Sequence, residues 1–237
     1  MIPARGGSKR LPKKNIRLLR DKPLIAWSIE AAQQSQYVDA ILVSTEDSEI
    51  LATAMAFGLE TPFVRPAALA TDEAKSLDVA LHALDTYESQ LNKHFDILLL
   101  LQPTSPLRTA QHIDEALELF LQKNADAVVS VSECEHSPLL ANTLPQDQSL
   151  SGFLRKEVMN VRSQDLPKYY RTNGAIYIIS NSAIRKSQSF FPEKNSFAYI
   201  MQPDVSVDID SMTDFMFAET LLAKSTNKLA SSTHKDL

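Results

Sequence analysis

Glycine is scarce here, with five residues in 237, and two of the five are adjacent, at Gly6 and Gly7. The single cysteine, Cys134, excludes an internal disulfide framework and fits a reducing cytosol. A cytoplasmic location is therefore expected. No apolar run approaches the roughly 20 residues needed to span a bilayer, and the start lacks the charged-then-apolar order of a secretory signal. No membrane partner is expected. None of the histidines, at 82, 94, 112, 136 and 234, pairs with another at zinc-ligand spacing. Neither G-x-G-x-x-G nor G-x-x-x-x-G-K-[ST] occurs, which argues against a dinucleotide fingerprint or a P-loop. With a net charge of −5 and a pI near 5.6, non-specific nucleic-acid binding is also disfavoured.

The positive charge that is present is concentrated. Residues 1–22 hold eight Lys and Arg against one Asp, a net of +7, so the rest of the chain, at −5 overall, carries −12. Those cations surround the run Ile2-Pro3-Ala4-Arg5-Gly6-Gly7-Ser8-Lys9. Glycine lets a backbone approach a ligand closely and adopt positive φ. Successive free N–H groups in such a turn form a nest for anions. Two readings stand: a surface turn with solvated lysines, or a phosphate site. The charge asymmetry and the apolar start before the turn favour phosphate.

Along the chain, strand-like and helix-like segments alternate. Apolar residues at helical spacing mark 24–32, then Ile50 to Met55 with Gly58 as a stop, then Leu77 to Leu84, then Ile113 to Phe120. Between them lie β-rich runs at 40–43, 95–101 and 127–131, the second continuously apolar, as a strand covered on both faces reads. This predicts an α/β fold with a mostly parallel sheet sandwiched by helices. The rhythm breaks over residues 135–172, which are polar and proline-rich, and resumes with strands at 175–179, 197–201 and 205–208. Ser211 and Asp214 have helix-capping spacing ahead of Phe215, Ala218 and Leu222. The reading is one domain over 1–223 with a disordered tail over 224–237.

In open α/β sheets, ligands bind beyond the C-terminal ends of strands. The polar residues collected there are Arg5 to Lys9, Ser44 to Asp47, Gln102 to Arg108, and Asp208 with Asp210. On an extended strand Asp208 and Asp210 share one side. They read either as a surface residue and a helix-cap neighbour, or as a pair of hard ligands for Mg²⁺ beside phosphates. Phe190 and Phe191 read as ordinary core or as a contact with a neighbouring subunit. Cys134 reads as a small core residue.

Several ordered motifs then converge. Ile2-Pro3-Ala4-Arg5-Gly6-Gly7-Ser8-Lys9-Arg10-Leu11-Pro12-Lys13-Lys14-Asn15, Val43-Ser44-Thr45, Arg65-Pro66 and Leu69-Ala70-Thr71-Asp72 come first. Leu101-Gln102-Pro103-Thr104-Ser105-Pro106-Leu107-Arg108, Arg171-Thr172-Asn173-Gly174-Ala175-Ile176-Tyr177 and Ser206-Val207-Asp208-Ile209-Asp210 follow. Together they resemble the CMP-sialic acid synthetase (acylneuraminate cytidylyltransferase) family, from the first residues to about Ala223. The segments Arg162-Ser163-Gln164-Asp165-Leu166-Pro167 and Asn142-Thr143-Leu144-Pro145 resemble its legionaminic acid branch.

The resemblance implies a nucleotide-diphospho-sugar transferase-like, Rossmann-like fold. It implies a cytidylyltransferase that joins CTP to a nine-carbon 2-keto sugar acid, with Mg²⁺ or Mn²⁺, releasing pyrophosphate. Arg5, Gly6, Gly7, Ser8, Lys9, Lys14, Asn15, Arg65 and Ser76 are then expected at the nucleotide. Gln102, Thr104, Arg162, Arg171, Asn173, Tyr177, Phe190 and Phe191 are expected at the sugar acid. Asp208 and Asp210 are expected at the metal, with Asp210, Arg5 and Lys9 catalytic. It also implies a homodimer, with an extension over roughly 135–172 and 185–200 and with Phe190 and Phe191 reaching a second subunit. Such proteins carry more apolar residues before the Ile-Pro-Ala-Arg turn, so a very short first strand and a weakly anchored turn are expected here. Two alternatives are a 3-deoxy-manno-octulosonate cytidylyltransferase and a non-catalytic nucleotide-binding protein.

Overall fold

The computed structural model describes residues 1–232, with side chains described through Lys224. In chain order its elements are β1 (Ile2–Pro3), β2 (Leu18–Leu19), β3 (Lys22–Pro23), α1 (Leu24–Gln33), β4 (Val43–Ser44), α2 (Ser48–Ala56) and α3 (Ser76–Leu91). They continue with β5 (Ile97–Leu100), α4 (Ala110–Gln122), β6 (Ala127–Glu133), β7 (Tyr170–Ser180), α5 (Asn181–Ser187), β8 (Ser196–Met201) and α6 (Met212–Ser232).

The sheet core runs β5-β7-β6-β8, with β7 antiparallel to both neighbours and β8 parallel to β6. Strand β1 pairs in parallel with β4. On its other side the Met1 amine donates to the Leu99 carbonyl (2.6 Å), and Leu101 N–H donates to the Met1 carbonyl (3.0 Å). Slanted bonds to both neighbours of Leu100 are the parallel pattern. The strands therefore read β4-β1-β5-β7-β6-β8, with β7 alone reversed. The expected mostly parallel sheet is present.

Alternation of side chains across the pleat explains the apolar runs. Ile176, Ile178, Val128 and Leu101 face α1 and α4 through Ile25, Ile29, Ile113 and Phe120. Ile179, Ala127 and Leu98 face α3 and α5 through Ala80, Leu84 and Ile184. Strand β5 is apolar throughout because helices cover both faces. Helix α6 packs separately, Phe215 and Ala218 meeting Leu11, Leu19 and Leu107 near the N-terminal loop. Gly58, at φ 79°, ends α2 as expected.

Four details differ from the sequence reading. Residues 205–208 form no strand. Pro203 opens a 3-10 turn over Pro203–Val205, and Ser206 Oγ bonds back to the Gln202 carbonyl (2.7 Å), which turns the chain out of the sheet. Strand β7 starts earlier than expected because its first residues pair with the end of β6, Tyr170 opposite Glu133. Of the stretch 185–200, residues 196–200 belong to β8, a strand of the main sheet. The helical backbone of α6 continues to Ser232, where disorder was expected from 224, and residues 233–237 lie outside the described residues.

Helix α2 begins where Asp47 accepts from Glu49 N–H (2.9 Å) and Ile50 N–H (3.0 Å), satisfying two donors that a helix start leaves free. Asp47→Ala is expected to cost about 1 kcal/mol. Thermal denaturation should show the midpoint falling by about 2–4 °C.

Candidate active site

The glycine turn lies at the carboxyl end of β1, anchored to β4 by Ala4 N–H on the Ser44 carbonyl (3.0 Å). Gly6 is required for space. A Cβ there would sit 2.2 Å from Asp47 Oδ2, the side chain that caps α2. Its φ is not positive, and neither is that of Gly7, which has open space around it. Close approach, and not a left-handed backbone, therefore accounts for the first glycine. The Gly6 N–H donates to Glu46 Oε1 (2.9 Å). Arg65 Nη2 reaches Glu46 Oε2 (3.2 Å) and the Ala4 carbonyl (2.7 Å), tying the turn down from behind. Burial, at 5% exposure, lowers the Arg65 pKa, with Glu46 opposing the shift. Its buried Nε has no partner among the described residues, and Arg65 lines the adjoining cavity.

That cavity encloses about 330 Å³. Arg5, Lys14, Asn15, Arg65 and Ser76 line it, together with Gln102, Thr104, Asp208 and Asp210. Lys14 Nζ donates to the Ile209 carbonyl (2.7 Å) and to Asp210 Oδ1 (3.3 Å), and Arg10 Nη1 donates to Asp210 Oδ2 (3.1 Å). Arg5 Nη2 pairs with Asp72 Oδ1 (2.8 Å), and Lys9 pairs with the other oxygen of the same carboxylate. Asn15 is buried and donates to the Arg5 carbonyl (3.0 Å), so it braces the turn from inside.

The acidic segment is held by the loop after β5. Ile209 N–H donates to the Thr104 carbonyl (2.9 Å), and the Thr104 hydroxyl bonds the Asp208 carboxylate. Burial raises the Asp208 pKa, the Thr104 bond opposes this, and the nearby Asp210 raises it further. A half-desolvated carboxylate beside a second one gains from a cation placed between them. Among the described residues no group of three or more His, Cys, Asp or Glu could hold a metal. Two hard carboxylates suit Mg²⁺ when phosphate oxygens and water complete the shell.

The residues expected at the sugar acid divide. Arg171 stays beside the acidic segment, with Nη2 3.5 Å from the Ser206 carbonyl. Tyr177 lies close enough to Asp208 for the carboxylate to raise its pKa, although burial is the larger cause. Phe190 and Phe191 meet Tyr177 of their own chain edge-on, with ring centroids 5.6 and 6.2 Å away. Reach toward a second subunit was expected, and within the chain they build a wall against Tyr177. Asn173 is 1% exposed and fully engaged. Its Oδ1 accepts from Ser130 Oγ (2.6 Å) and Ala175 N–H (3.2 Å), and its Nδ2 donates to Ser206 Oγ (3.0 Å). It braces the acidic segment and presents nothing to a ligand. Arg162 is exposed in the arm between β6 and β7 and does not line the cavity. Gly7, Ser8 and Lys9 are not among the residues that line the cavity.

Sequence reasoning collected Glu46 and Arg108 among the polar residues at strand ends and quoted Asp72 and Gly174 within motifs, but gave none of the four a specific role. Gly174 sits at φ +76°, and a Cβ there would fall 2.6 Å from Gln102 Oε1. Arg108 is 1% exposed, and burial lowers its pKa to about 9. It donates to Ser28 Oγ (2.6 Å) and the Ala175 carbonyl (3.2 Å), underneath the Gln102 loop. The signal for Gly174 was available: an isolated glycine in a strand pattern marks a close approach.

Fold and site together define an α/β protein that gathers cations and a paired carboxylate at the carboxyl ends of parallel strands, the architecture of nucleotide-diphospho-sugar transferases. The cytidylyltransferase family matches over residues 1–232, and the chain belongs to that family. A pseudaminic acid cytidylyltransferase of Campylobacter jejuni is 36% identical, covering 93% of this chain and 94% of that one. A CMP-N,N'-diacetyllegionaminic acid synthase of Legionella pneumophila is 36% identical over 94% of each. An N-acylneuraminate cytidylyltransferase of Escherichia coli is 37% identical over 94% of this chain and 52% of its own length. Among solved structures, a CMP:2-keto-3-deoxy-manno-octonic acid synthetase with CTP superimposes at TM-score 0.68 and 20% identity, covering 94% and 97% of the two chains. A 4-diphosphocytidyl-2C-methyl-D-erythritol synthase of Anaerococcus prevotii reaches 0.61 at 11% identity over 94% of each. At those identities the shared property is the fold.

Gly174→Ala is expected to cost about 1–2 kcal/mol from the left-handed backbone and to displace Gln102 as well. Gly152, at φ +70° with open space around it, serves as the control, because alanine there adds backbone strain alone. Denaturant titration should show the larger loss at Gly174.

Proposed function

We propose that this chain transfers the cytidylyl group of CTP to a nine-carbon 2-keto sugar acid. The observation that carries the proposal is the meeting of Lys14 and Arg10 with Asp210, a carboxylate that lines the cavity together with Lys14, across about 200 residues of chain. The relatives' names supply the substrate class. The sugar's anomeric oxygen attacks the α-phosphorus, the bond to the β-phosphate bridging oxygen breaks, and pyrophosphate leaves with that electron pair. Catalysis of this kind is mostly positioning and charge stabilisation.

Arg5, Lys9 and Lys14 would hold the phosphates, and Arg65, which lines the same cavity, would lie at the cytosine. Ser76, at the start of α3, would face the ribose. Asp208 and Asp210 would hold Mg²⁺, which would draw charge from the reacting phosphates. Asp210 would also accept the proton of the attacking hydroxyl. Gln102 and Tyr177 would orient the sugar acid, and Arg171, beside Asp208, suits its carboxylate. A cytoplasmic location would suit a reaction that consumes CTP, and no described helix is long and apolar enough to cross a membrane.

A homodimer fits the arm between β6 and β7. Among the described residues it holds 3-10 turns and no longer helix or strand between Cys134 and Tyr169. It exposes Leu144, Leu150, Met159 and Val161, with Leu150 at 68%. Apolar side chains collected on an arm without a core of its own suit burial against a second copy. The eight-carbon acid reading is weaker, because the solved enzyme of that type is 20% identical while the nine-carbon relatives reach 36–37%.

Pyrophosphate release should depend jointly on CTP, Mg²⁺ and one of the sialic, legionaminic or pseudaminic acids. Turnover of the eight-carbon acid alone would replace the substrate class, and nucleotide binding with no turnover of any acid would favour a non-catalytic protein. Asp210→Asn should lower kcat by about 10²-fold or more with an unchanged circular dichroism spectrum; a near-normal rate would remove Asp210 from the mechanism. Lys14→Ala should raise the KM for CTP on the order of tenfold, the loss of one charge-assisted bond.

A further inference from the structure

Each cation that the nucleotide reading assigns to phosphates already holds a protein carboxylate. Lys14 and Arg10 share Asp210, itself assigned to the metal. Arg5 and Lys9 share Asp72, which has no role in the chemistry above. Asp72 follows the 3-10 turn Ala67–Leu69 and precedes α3, on a loop that carries Ser76 to the same cavity. Both of its oxygens are engaged, one by each cation. Those contacts hold its carboxyl below the usual range, with the Lys9 bond the largest cause. The carboxylate is also 42% exposed and lines the cavity, so an incoming anion can reach and replace it.

We propose that Asp72 is a displaceable counter-ion that holds Arg5 and Lys9 for the triphosphate and competes with it for them, which makes Asp72 a positioning residue for nucleotide entry and pyrophosphate exit. This rests on the nucleotide reading. In the nucleotide-free protein the pairing keeps two long, flexible side chains directed at the cavity, away from alternative partners such as Glu46. When a polyanion arrives, its oxygens take over the guanidinium and ammonium, and Asp72 swings toward solvent on its exposed loop. After cytidylyl transfer the same carboxylate reclaims them and favours departure of pyrophosphate. Removing its charge while keeping its shape should therefore strengthen polyanion binding and slow product loss. An ordinary structural ion pair, once broken, would leave binding unchanged or weaker. Exposed pairs are individually modest, so the expected gain is about two- to tenfold.

The test is calorimetric titration of wild type, Asp72→Asn and Asp72→Glu with CTP, pyrophosphate and uncharged cytidine at fixed Mg²⁺. Asp72→Asn should bind CTP and pyrophosphate about two- to tenfold more tightly and cytidine as wild type does. Its inhibition constant for pyrophosphate should fall by the same factor. Asp72→Glu should restore wild-type affinities, and the gain should shrink as salt rises. Equal or weaker polyanion binding by Asp72→Asn, or an equal gain for cytidine, would overturn the counter-ion role while leaving the nucleotide site standing. Absence of CTP and pyrophosphate binding in wild type would overturn the nucleotide reading and this inference together.

Discussion

The contact that the candidate site depends on joins Lys14 to the Ile209–Asp210 segment. Neither partner is fixed by a sheet ladder. The turn hangs from a two-residue strand, and the acidic segment runs outside the sheet after Pro203. Lys14 is 14% exposed on its side chain, so its bond to the Ile209 carbonyl is screened less than a surface contact would be, while its pairing with the 54% exposed Asp210 faces solvent. The carbonyl bond fixes backbone, and with Ile209 N–H on Thr104 it holds that residue from both sides. Three strand ends are thereby brought to one cavity by contacts between loops.

The reversed strand β7 explains why those loops meet. It runs between β5 and β6, so its early residues lie at the carboxyl ends of its parallel neighbours, where ligands gather. There the β6–β7 register shifts between Val129 and Val131. Such an irregularity re-aims side chains near sites. Asn173 turns inward, bonding Ser130 on β6 and Ser206 ahead of the acidic segment. Gly174 clears the space that Gln102 occupies. The buried Arg108, with no carboxylate against it among the described residues, holds β7 through the Ala175 carbonyl and supports Gln102 through Ser28. The sheet fixes distances that the loops could not fix alone.

Much of this is legible in the sequence, and the limits have physical causes. Doubly covered strands and amphipathic helices announce themselves by period, so β5, β6, α1 and α4 could be placed from apolar spacing. The two charge clusters could be named because their residue types are unusual for their neighbourhoods. Residues 205–208 alternate like a strand, but alternation reports which side chains are buried and not whether a ladder partner exists. Asn173 matched a family motif and was assigned to a ligand. A motif records that a residue type is needed, and burial decides whether it faces substrate or scaffold. Gly6 was expected to supply conformational freedom, and the need proved to be room for the Asp47 cap, which only the fold reveals.

Pairing between opposite charges governs how such a site can work. A cluster of +7 in an otherwise acidic chain would repel itself if left bare, and in the fold Asp72, Glu49, Glu30 and Asp210 each take up part of it. Ligand binding then becomes an exchange of anions, and its net gain is the difference between two pairings. Electrostatic attraction still draws a polyanion to the cavity mouth, but much of its strength cancels once the ligand is seated. Discrimination must then fall to groups that lack a competing partner. Gln102, which lines the cavity and is confined by Gly174 without a bond to it, is one such group. On the nucleotide reading, the charged residues would accept phosphates in general, and such uncharged groups would decide which molecule carries them.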